Sequence, residues 1–146
     1  MSRPSHRKPR PISVFGAIAI AVLALVSCSD GVTGPSDLTG GVWRLSSMRL
    51  AGATSSFVPD DASRFTVEFG PDGVIGVRAD CNSCGGTYSL RGDRLDVPGM
   101  ACTLALCATP QGGEFANLIE GTATLDKDGE GRLQIASPDG IVTLVR

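Results

Sequence analysis

The sequence predicts a mainly β domain, a small antiparallel barrel or strongly curved sheet with one short helix. Three observations support this fold class. Short segments alternate apolar and polar side chains with the period of a strand. Turn signals rich in Gly, Pro and Asp separate these segments at short intervals. Only one short segment has apolar residues at the spacing of a helix. This pattern favours a mainly β architecture with a single helix.

The first 28 residues resemble the signal of a bacterial lipoprotein. A basic start, an apolar run and a terminal cysteine follow one another, as Arg3, Arg7, Lys8 and Arg10, then Ile12–Val26, then Cys28. In such signals the peptide is cleaved before the cysteine, which carries a diacylglyceryl group on its sulfur. The apolar run has 15 residues, fewer than the roughly 20 that span a bilayer, and the cysteine argues against a plain secretory signal. We therefore expect residues 1–27 to be removed and Cys28 to bind the membrane through its lipid.

The residues after the cysteine indicate a location and a tether. Ser29, rather than Asp, follows Cys28, which by the enterobacterial sorting rule favours the outer membrane. We expect a lipid-anchored protein of the cell envelope that faces the periplasm. The Gly-, Ser-, Pro- and Asp-rich residues up to Leu38 predict a flexible tether over residues 28–38.

The folded domain is predicted at residues 39–146 and begins with a strand and a hairpin. The only tryptophan, Trp43, lies in the first strand-like segment. Strict alternation at residues 65–69 predicts a half-buried strand, and the Gly-Pro-Asp-Gly sequence after it predicts a tight turn. The predicted elements are a strand at Val42–Leu50, a loop at Ala51–Ala62, and strands at Phe65–Phe69 and Val74–Ala79.

The second half of the domain is predicted to hold another hairpin, the helix and three closing strands. Phe115, Leu118 and Ile119 follow i, i+3, i+4 spacing, which predicts a short helix in Gln111–Glu120. The remaining predicted strands are Thr87–Leu90, Arg94–Val97, Thr122–Leu125, Arg132–Ala136 and Ile141–Val145. The side chains expected to fill the interior are Phe65, Val67, Phe69, Tyr88, Leu133, Ile135 and Leu144.

Composition argues against several classes of function. Without residues 1–27 the chain would hold nine Lys and Arg against fifteen Asp and Glu residues, a formal charge of −6. So acidic a surface disfavours nucleic acid and anionic lipid as partners. The only histidine, His6, lies in the predicted signal, so the mature chain would lack the usual general base of nucleophilic catalysis. We expect a monomer with no catalytic residue, no cofactor and no bound metal.

Two segments resemble the motifs of the META/HslJ domain family. Cys81–Tyr88 matches C-N-x-x-x-G-x-Y, and Met100–Cys107 matches M-A-x-T-x-x-x-C. An early tryptophan strand, a hairpin with the F-x-x-D-G pattern and a later helix agree in order, so the resemblance covers Leu38 to Arg146. It implies a small, lipocalin-like barrel domain, often secreted or lipid-anchored, in a family linked to heat shock, antibiotic tolerance and virulence but to no established catalytic activity.

The matched motif residues besides the cysteines are Asn82, Gly86, Tyr88 and Thr103. Each of the first three has a structural explanation. Gly86, with Gly85 before it, permits a positive φ or a close backbone approach. Asn82 can bond nearby backbone in a turn, and Tyr88 supplies core volume.

Four cysteines follow the signal, an even number that favours two disulfides in an oxidising compartment. The residues alone leave all three connectivities open. The resemblance implies a Cys81–Cys107 bridge, with Cys84–Cys102 nested inside it. A redox C-x-x-C pair is disfavoured because two glycines and a strand follow it, where redox pairs normally begin a helix. A zinc site is the other alternative, and export to an oxidising space disfavours it.

Three classes of function remain from the sequence. The first is a non-catalytic envelope lipoprotein, a binding or structural module in stress resistance or drug tolerance that can bind a protein of the envelope. The second is a carrier of a small apolar ligand, and the third is an exported thiol/disulfide or zinc-binding protein. The acidic residues 126–130 superficially resemble a calcium loop, but they lack its twelve-residue ligand pattern and predict a solvated turn.

Overall fold

Ten strands form one antiparallel sheet in the computed structural model, which describes residues 35–146. The predicted signal, Cys28 and the first part of the tether lie outside the described residues. Two helices, α1 (Pro35–Leu38) and α2 (Gln111–Ile119), and a 3₁₀ turn at Ala62–Arg64 accompany the sheet. Neither helix of this part of the chain has the length and apolar character needed to cross a bilayer. The strands are β1 (Val42–Leu50), β2 (Phe65–Phe69), β3 (Val74–Ala79), β4 (Asn82–Thr87), β5 (Ser89–Arg91), β6 (Arg94–Val97), β7 (Met100–Cys102), β8 (Gly121–Lys127), β9 (Leu133–Ser137) and β10 (Gly140–Val145).

The sheet has the strand order β5-β6-β8-β9-β10-β1-β2-β3-β4-β7 and curves into a half-barrel, which confirms the predicted fold class. Its inner face and α2 enclose one hydrophobic cluster. The predicted helix presents its expected face, because Phe115, Leu118 and Ile119 are each at most 1% exposed. All the side chains predicted to point inward are buried, namely Phe65, Val67, Phe69, Tyr88, Leu133, Ile135 and Leu144.

Strands β4 and β5 are separated only by Tyr88, yet they lie near opposite ends of the strand order. Because β4 pairs with β3 and β5 pairs with β6, this stretch joins the two ends of the curved sheet. The Tyr88 N–H donates to the Gly73 carbonyl and its hydroxyl to the Gly70 carbonyl, both at 2.8 Å. Its ring meets Phe69 edge-on, with 5.1 Å between centroids. Burial raises the pKa of the Tyr88 hydroxyl, so the group stays protonated and keeps donating at neutral pH.

The first cysteine motif continues from the turn at Cys81 into β4 and the second begins on β7, so Asn82 lies at the start of a strand rather than within a turn. Gly85 and Gly86 lie inside β4, between β3 and β7. Neither glycine has a positive φ, and the left-handed residue of this region is Asp80, at φ 62°. Neither β4 nor β7 was predicted, because β4 does not alternate apolar with polar side chains and β7 has only three residues.

The strand registers define two ends of the sheet. The chain enters β1 at Val42. The strand ends on this side of the sheet are here called the proximal end, which is formed by Val42, Phe69, Val74 and Thr87. The opposite strand ends are here called the distal end, which is formed by Leu50, Phe65, Ala79 and Asn82. Strand β7 runs from Met100 towards the distal end, since Met100 lies opposite Gly86 and Cys102 opposite Cys84.

The side chain of Arg146 fixes α1 to the proximal end. Its Nη2 atom donates to the carbonyls of Asp37, Leu38 and Thr39 at 3.1, 3.2 and 2.9 Å. The guanidinium lies over the Trp43 ring, 4.5 Å from its centroid, and the indole N–H donates to the Leu38 carbonyl at 2.8 Å. Leu38, which the sequence assigned to the end of the tether, is completely buried. Leu38 therefore belongs to the folded unit.

Two adjacent glycines of α2 should respond oppositely to alanine. A Cβ on Gly112 would lie 2.7 Å from the Ala79 carbonyl oxygen, whereas a Cβ on Gly113 meets no atom within 4 Å. We expect Gly112→Ala to lower the free energy of unfolding by about 1–3 kcal/mol through overpacking. Gly113→Ala should raise it by up to about 1 kcal/mol through helix propensity. Urea denaturation of both variants tests this, and equal shifts would contradict it.

Candidate functional site

The four cysteines of the described residues form two nested disulfides, in the arrangement that the family resemblance implies. Cys81 is bonded to Cys107, with 5.6 Å between Cα atoms. Cys84 is bonded to Cys102, with 4.0 Å between Cα atoms. Because each sulfur is bonded to another sulfur, no thiolate is left for metal ligation or for nucleophilic attack.

Both bridges hold one short segment, Thr103–Cys107, here called the disulfide loop. The inner bridge links β4 to β7, where Cys84 and Cys102 lie directly opposite each other. The outer bridge links the turn between β3 and β4, at Cys81, to the last residue of the loop. The loop is thus covalently fixed just before its first residue and at its last, and it lies at the distal end.

Asn82 binds the middle of the disulfide loop. Its Oδ1 atom accepts from the Thr103 hydroxyl at 2.9 Å and from the Ala105 N–H at 2.8 Å. Its Nδ2 atom donates to the Ala105 carbonyl at 3.1 Å. Thr103 also exchanges bonds with Ser83, whose carbonyl accepts from the Thr103 N–H and whose N–H donates to the Thr103 hydroxyl, both at 3.0 Å. Asn82 therefore bonds a distant loop rather than the local turn that the sequence suggested.

The other two motif residues support β4 from the proximal side. Gly86 allows a close approach of the chain before β7, because a Cβ there would lie 2.6 Å from the Gly99 carbonyl oxygen. Tyr88 joins β4 to β5 as described above. The Met100 N–H, at the start of β7, donates to Glu120 Oε2 at 3.1 Å. All the predicted motif residues thus belong to one unit that positions the disulfide loop.

The disulfide loop displays two leucines that the sequence analysis did not single out. Leu104 is 95% exposed and Leu106 is 101% exposed, compared with 65% for Val58 and 55% for Val74. The sequence does contain a feature that marks this segment, because no charged residue occurs between Asp96 and Glu114. Both leucines lie on a five-residue loop that is fixed by a disulfide just before its first residue and at its last.

An ion pair lies beside the outer bridge. Asp80 is 3% exposed and pairs with Arg64, whose side chain is 48% exposed. The Asp80 N–H donates to the Arg64 carbonyl at 2.8 Å. Nearby, hydrogen bonds from the Ser63 hydroxyl and N–H lower the pKa of Asp61, which keeps its carboxylate ionised. These residues line part of an open cleft of about 240 Å³.

The acidic turn between β8 and β9 is organised by an arginine. The Asp128 carboxylate accepts from the Arg132 side chain at 2.6 Å, from the Arg132 N–H at 2.9 Å and from the Glu130 N–H at 3.0 Å. These bonds, led by that of the Arg132 side chain, lower the pKa of Asp128. Glu130 pairs with the same arginine at 3.0 Å. The arrangement is that of the predicted solvated turn, with the carboxylates bound to backbone and guanidinium groups.

Alanine substitution of the two adjacent glycines of β4 should show whether close packing or chain flexibility explains the glycine at position 86. We expect Gly86→Ala to lower the free energy of unfolding by about 1–3 kcal/mol, because its Cβ would contact the Gly99 carbonyl. Gly85→Ala is the matched control, since the nearest atom to its Cβ is the Ile75 carbonyl oxygen at 4.0 Å. Thermal unfolding of both variants tests this. A Gly85 variant as destabilised as the Gly86 variant would contradict the proposed contact.

Removal of the bridges should give costs that depend on loop length. With the inner bridge intact, the outer one closes only the short ring of residues 81–84 and 102–107, so Cys81→Ser with Cys107→Ser should cost about 2–3 kcal/mol. Removal of both bridges should cost about 5–6 kcal/mol, because a loop of 18 residues also loses its closure. Urea denaturation of the oxidised proteins measures both values. A variant lacking the outer bridge but as stable as the parent would contradict this account.

Solved structures with the same fold come from several sources. A protein solved by NMR is 24% identical, with a TM-score of 0.63, over 77% of this chain and 94% of its own. An NMR structure of a protein from Burkholderia xenovorans is 16% identical, with a TM-score of 0.58, over 98% and 97% of the two chains. A DUF4847 family protein from Bacteroides vulgatus, solved by crystallography, is 12% identical, with a TM-score of 0.52, over 74% and 93%. At these identities the likeness establishes the fold alone.

Comparison of the sequence with curated proteins gave no match. The META domain family, in contrast, matches residues 36–145, which include both cysteine motifs, the disulfide loop and all ten strands of the described residues. The match begins inside α1. It covers more than half of the sequence and agrees with the motif residues that meet around Asn82. The chain therefore belongs to the META domain family.

Proposed function

We propose that this protein is an exported, lipid-anchored module of the cell envelope that binds a protein partner through its surface and catalyses no reaction. Its role would lie in envelope stress or drug tolerance, as the family resemblance implies. The observation that carries the proposal is the filled interior of the half-barrel. Trp43, Phe69 and Phe115 are among the largest side chains of the described residues, and each is at most 1% exposed.

The filled interior argues against a carrier of small apolar ligands. A carrier needs a largely enclosed apolar pocket of about 300–1,000 Å³. The clefts found among the described residues are open and partly charged. One of about 390 Å³ is lined by Ser89, Arg91, Arg94 and Asp96, and one of about 440 Å³ includes Glu114, Glu120 and Asp139. Binding through the outer surface is therefore favoured over transport inside the barrel.

The cysteines and the lipoprotein-like signal support the proposed compartment. Two disulfides are stable in an oxidising space such as the periplasm and rare in the cytosol. The lipoprotein-like signal supplies the export route, and the acyl chains on Cys28 would supply the anchor at about 0.8 kcal/mol per buried CH₂. The acidic composition supports a protein partner over nucleic acid.

Metabolic labelling with an alkyne fatty acid tests the anchor. The full chain, expressed in a bacterial host, should take up the label and partition into detergent, because Cys28 is acylated. Cys28→Ser should lose the label and leave the detergent phase, while Ser29→Ala should keep both. An unlabelled parent chain would contradict the anchor.

The intact mass of the purified mature protein tests the rest of the proposal. Two disulfides and no bound molecule would give a mass four hydrogens below that of the reduced chain. A co-purifying small molecule would contradict the binding module and indicate a carrier. A mass increment of one zinc ion would contradict the two disulfides and indicate a metal site.

A further inference from the structure

The disulfide loop combines two properties that rarely occur together, full exposure of large apolar side chains and a fixed backbone. Single exposed leucines are common on protein surfaces and need no explanation. Leu104 and Leu106, however, lie two residues apart and are 95% and 101% exposed. Both are carried by a loop whose ends are fixed by disulfides. They are therefore held in place before any partner arrives.

This fixed backbone lowers the cost of binding. An ordinary loop loses conformational entropy when a partner immobilises it, and a preorganised loop avoids most of that loss. The Ala105 N–H and C=O, between the two leucines, are both bonded to Asn82, and the Thr103 N–H is bonded to Ser83. A partner that covers the loop therefore leaves none of these three polar groups without a hydrogen bond.

The absence of charged residues in the chain segment that carries the loop indicates what kind of surface the two leucines suit. Residues 97–113 contain no Asp, Glu, Lys or Arg, although acidic residues exceed basic ones by six over residues 28–146. The cores of protein interfaces are depleted of charge and are formed by apolar anchors. This segment therefore suits an uncharged apolar cleft and has nothing to offer a strongly charged partner.

The position of the loop indicates on which side the partner lies. Arg146 holds α1 at the proximal end, and the disulfide loop lies at the distal end. Cys28 is seven residues before Pro35, a distance of at most about 25 Å when extended. A lipid on Cys28 would hold the domain by its proximal end. The anchor and the two leucines would then lie at opposite ends of the domain.

We propose that the disulfide loop is the interaction surface of this protein, and that Leu104 and Leu106 insert into an uncharged apolar cleft of a second envelope protein on the side away from the anchoring membrane. This inference rests on the proposed function and specifies its partner-binding face. Two leucine anchors suit a small interface of less than about 1,200 Å², a size typical of transient complexes.

Photo-crosslinking in the native host tests the proposal with the full chain. A p-benzoylphenylalanine at position 105 lies between the two leucines, and one at position 74 serves as the control at the proximal end. We expect position 105 to give a single protein adduct of defined mass and position 74 to give none. Adding Leu104→Asp and Leu106→Asp should lower the adduct yield about tenfold or more, because a carboxylate is costly to bury in an apolar cleft.

The outcomes separate this proposal from loss of fold and from failure of the anchor. Leu104→Asp with Leu106→Asp should leave the melting temperature unchanged, since both side chains are in solvent, and Val58→Asp is the matched control that should keep the adduct. The proposal would be overturned by equal adducts from both positions, by no adduct at position 105, by an adduct to phospholipid, or by an adduct insensitive to the aspartates. If any of these results is found while fatty-acid labelling of the parent chain is retained, the proposed lipid-anchored envelope protein is not contradicted. Only the disulfide loop is then rejected as its interaction surface.

Discussion

The fold depends on the stretch of residues 82–91, which pairs with β3 through one half and with β6 through the other. Tyr88 makes this possible, because its backbone and hydroxyl both bond the turn between β2 and β3 while its ring enters the core. The curvature that encloses the core follows from this joint, since a flat sheet could not bring β3 and β6 to one continuous segment. The inner disulfide then fixes β7 beside the same stretch.

Elements with a regular spacing of apolar side chains, either the period of a strand or that of a helix, were predictable from the sequence, and those without such spacing were not. The hairpin of β2 and β3 and the apolar face of α2 follow directly from side-chain spacing. Strand β4 has no such pattern, and at Gly86 the close approach of the Gly99 carbonyl leaves no room for a side chain. The contact of Arg146 with α1 spans more than 100 residues, a separation at which spacing carries no information.

The candidate site was half predictable for a related reason. The family motif identified Asn82, Thr103 and the cysteines, because these residues hold the loop and occupy specified positions of the motif. It left Leu104 and Leu106 unmarked, because they occupy the unspecified positions between the motif threonine and cysteine. The arrangement separates a framework from the side chains that it displays, as binding loops on rigid scaffolds commonly do.

The nested connectivity of the bridges has a consequence for how the chain matures if it is exported as proposed. Cys81 and Cys84 would then leave the export channel before Cys102 and Cys107, and they are only three residues apart. An oxidase acting on the emerging chain would meet these two thiols first and join them to each other. The native pattern therefore depends on later thiol–disulfide exchange or on oxidation that waits until β7 has paired with β4.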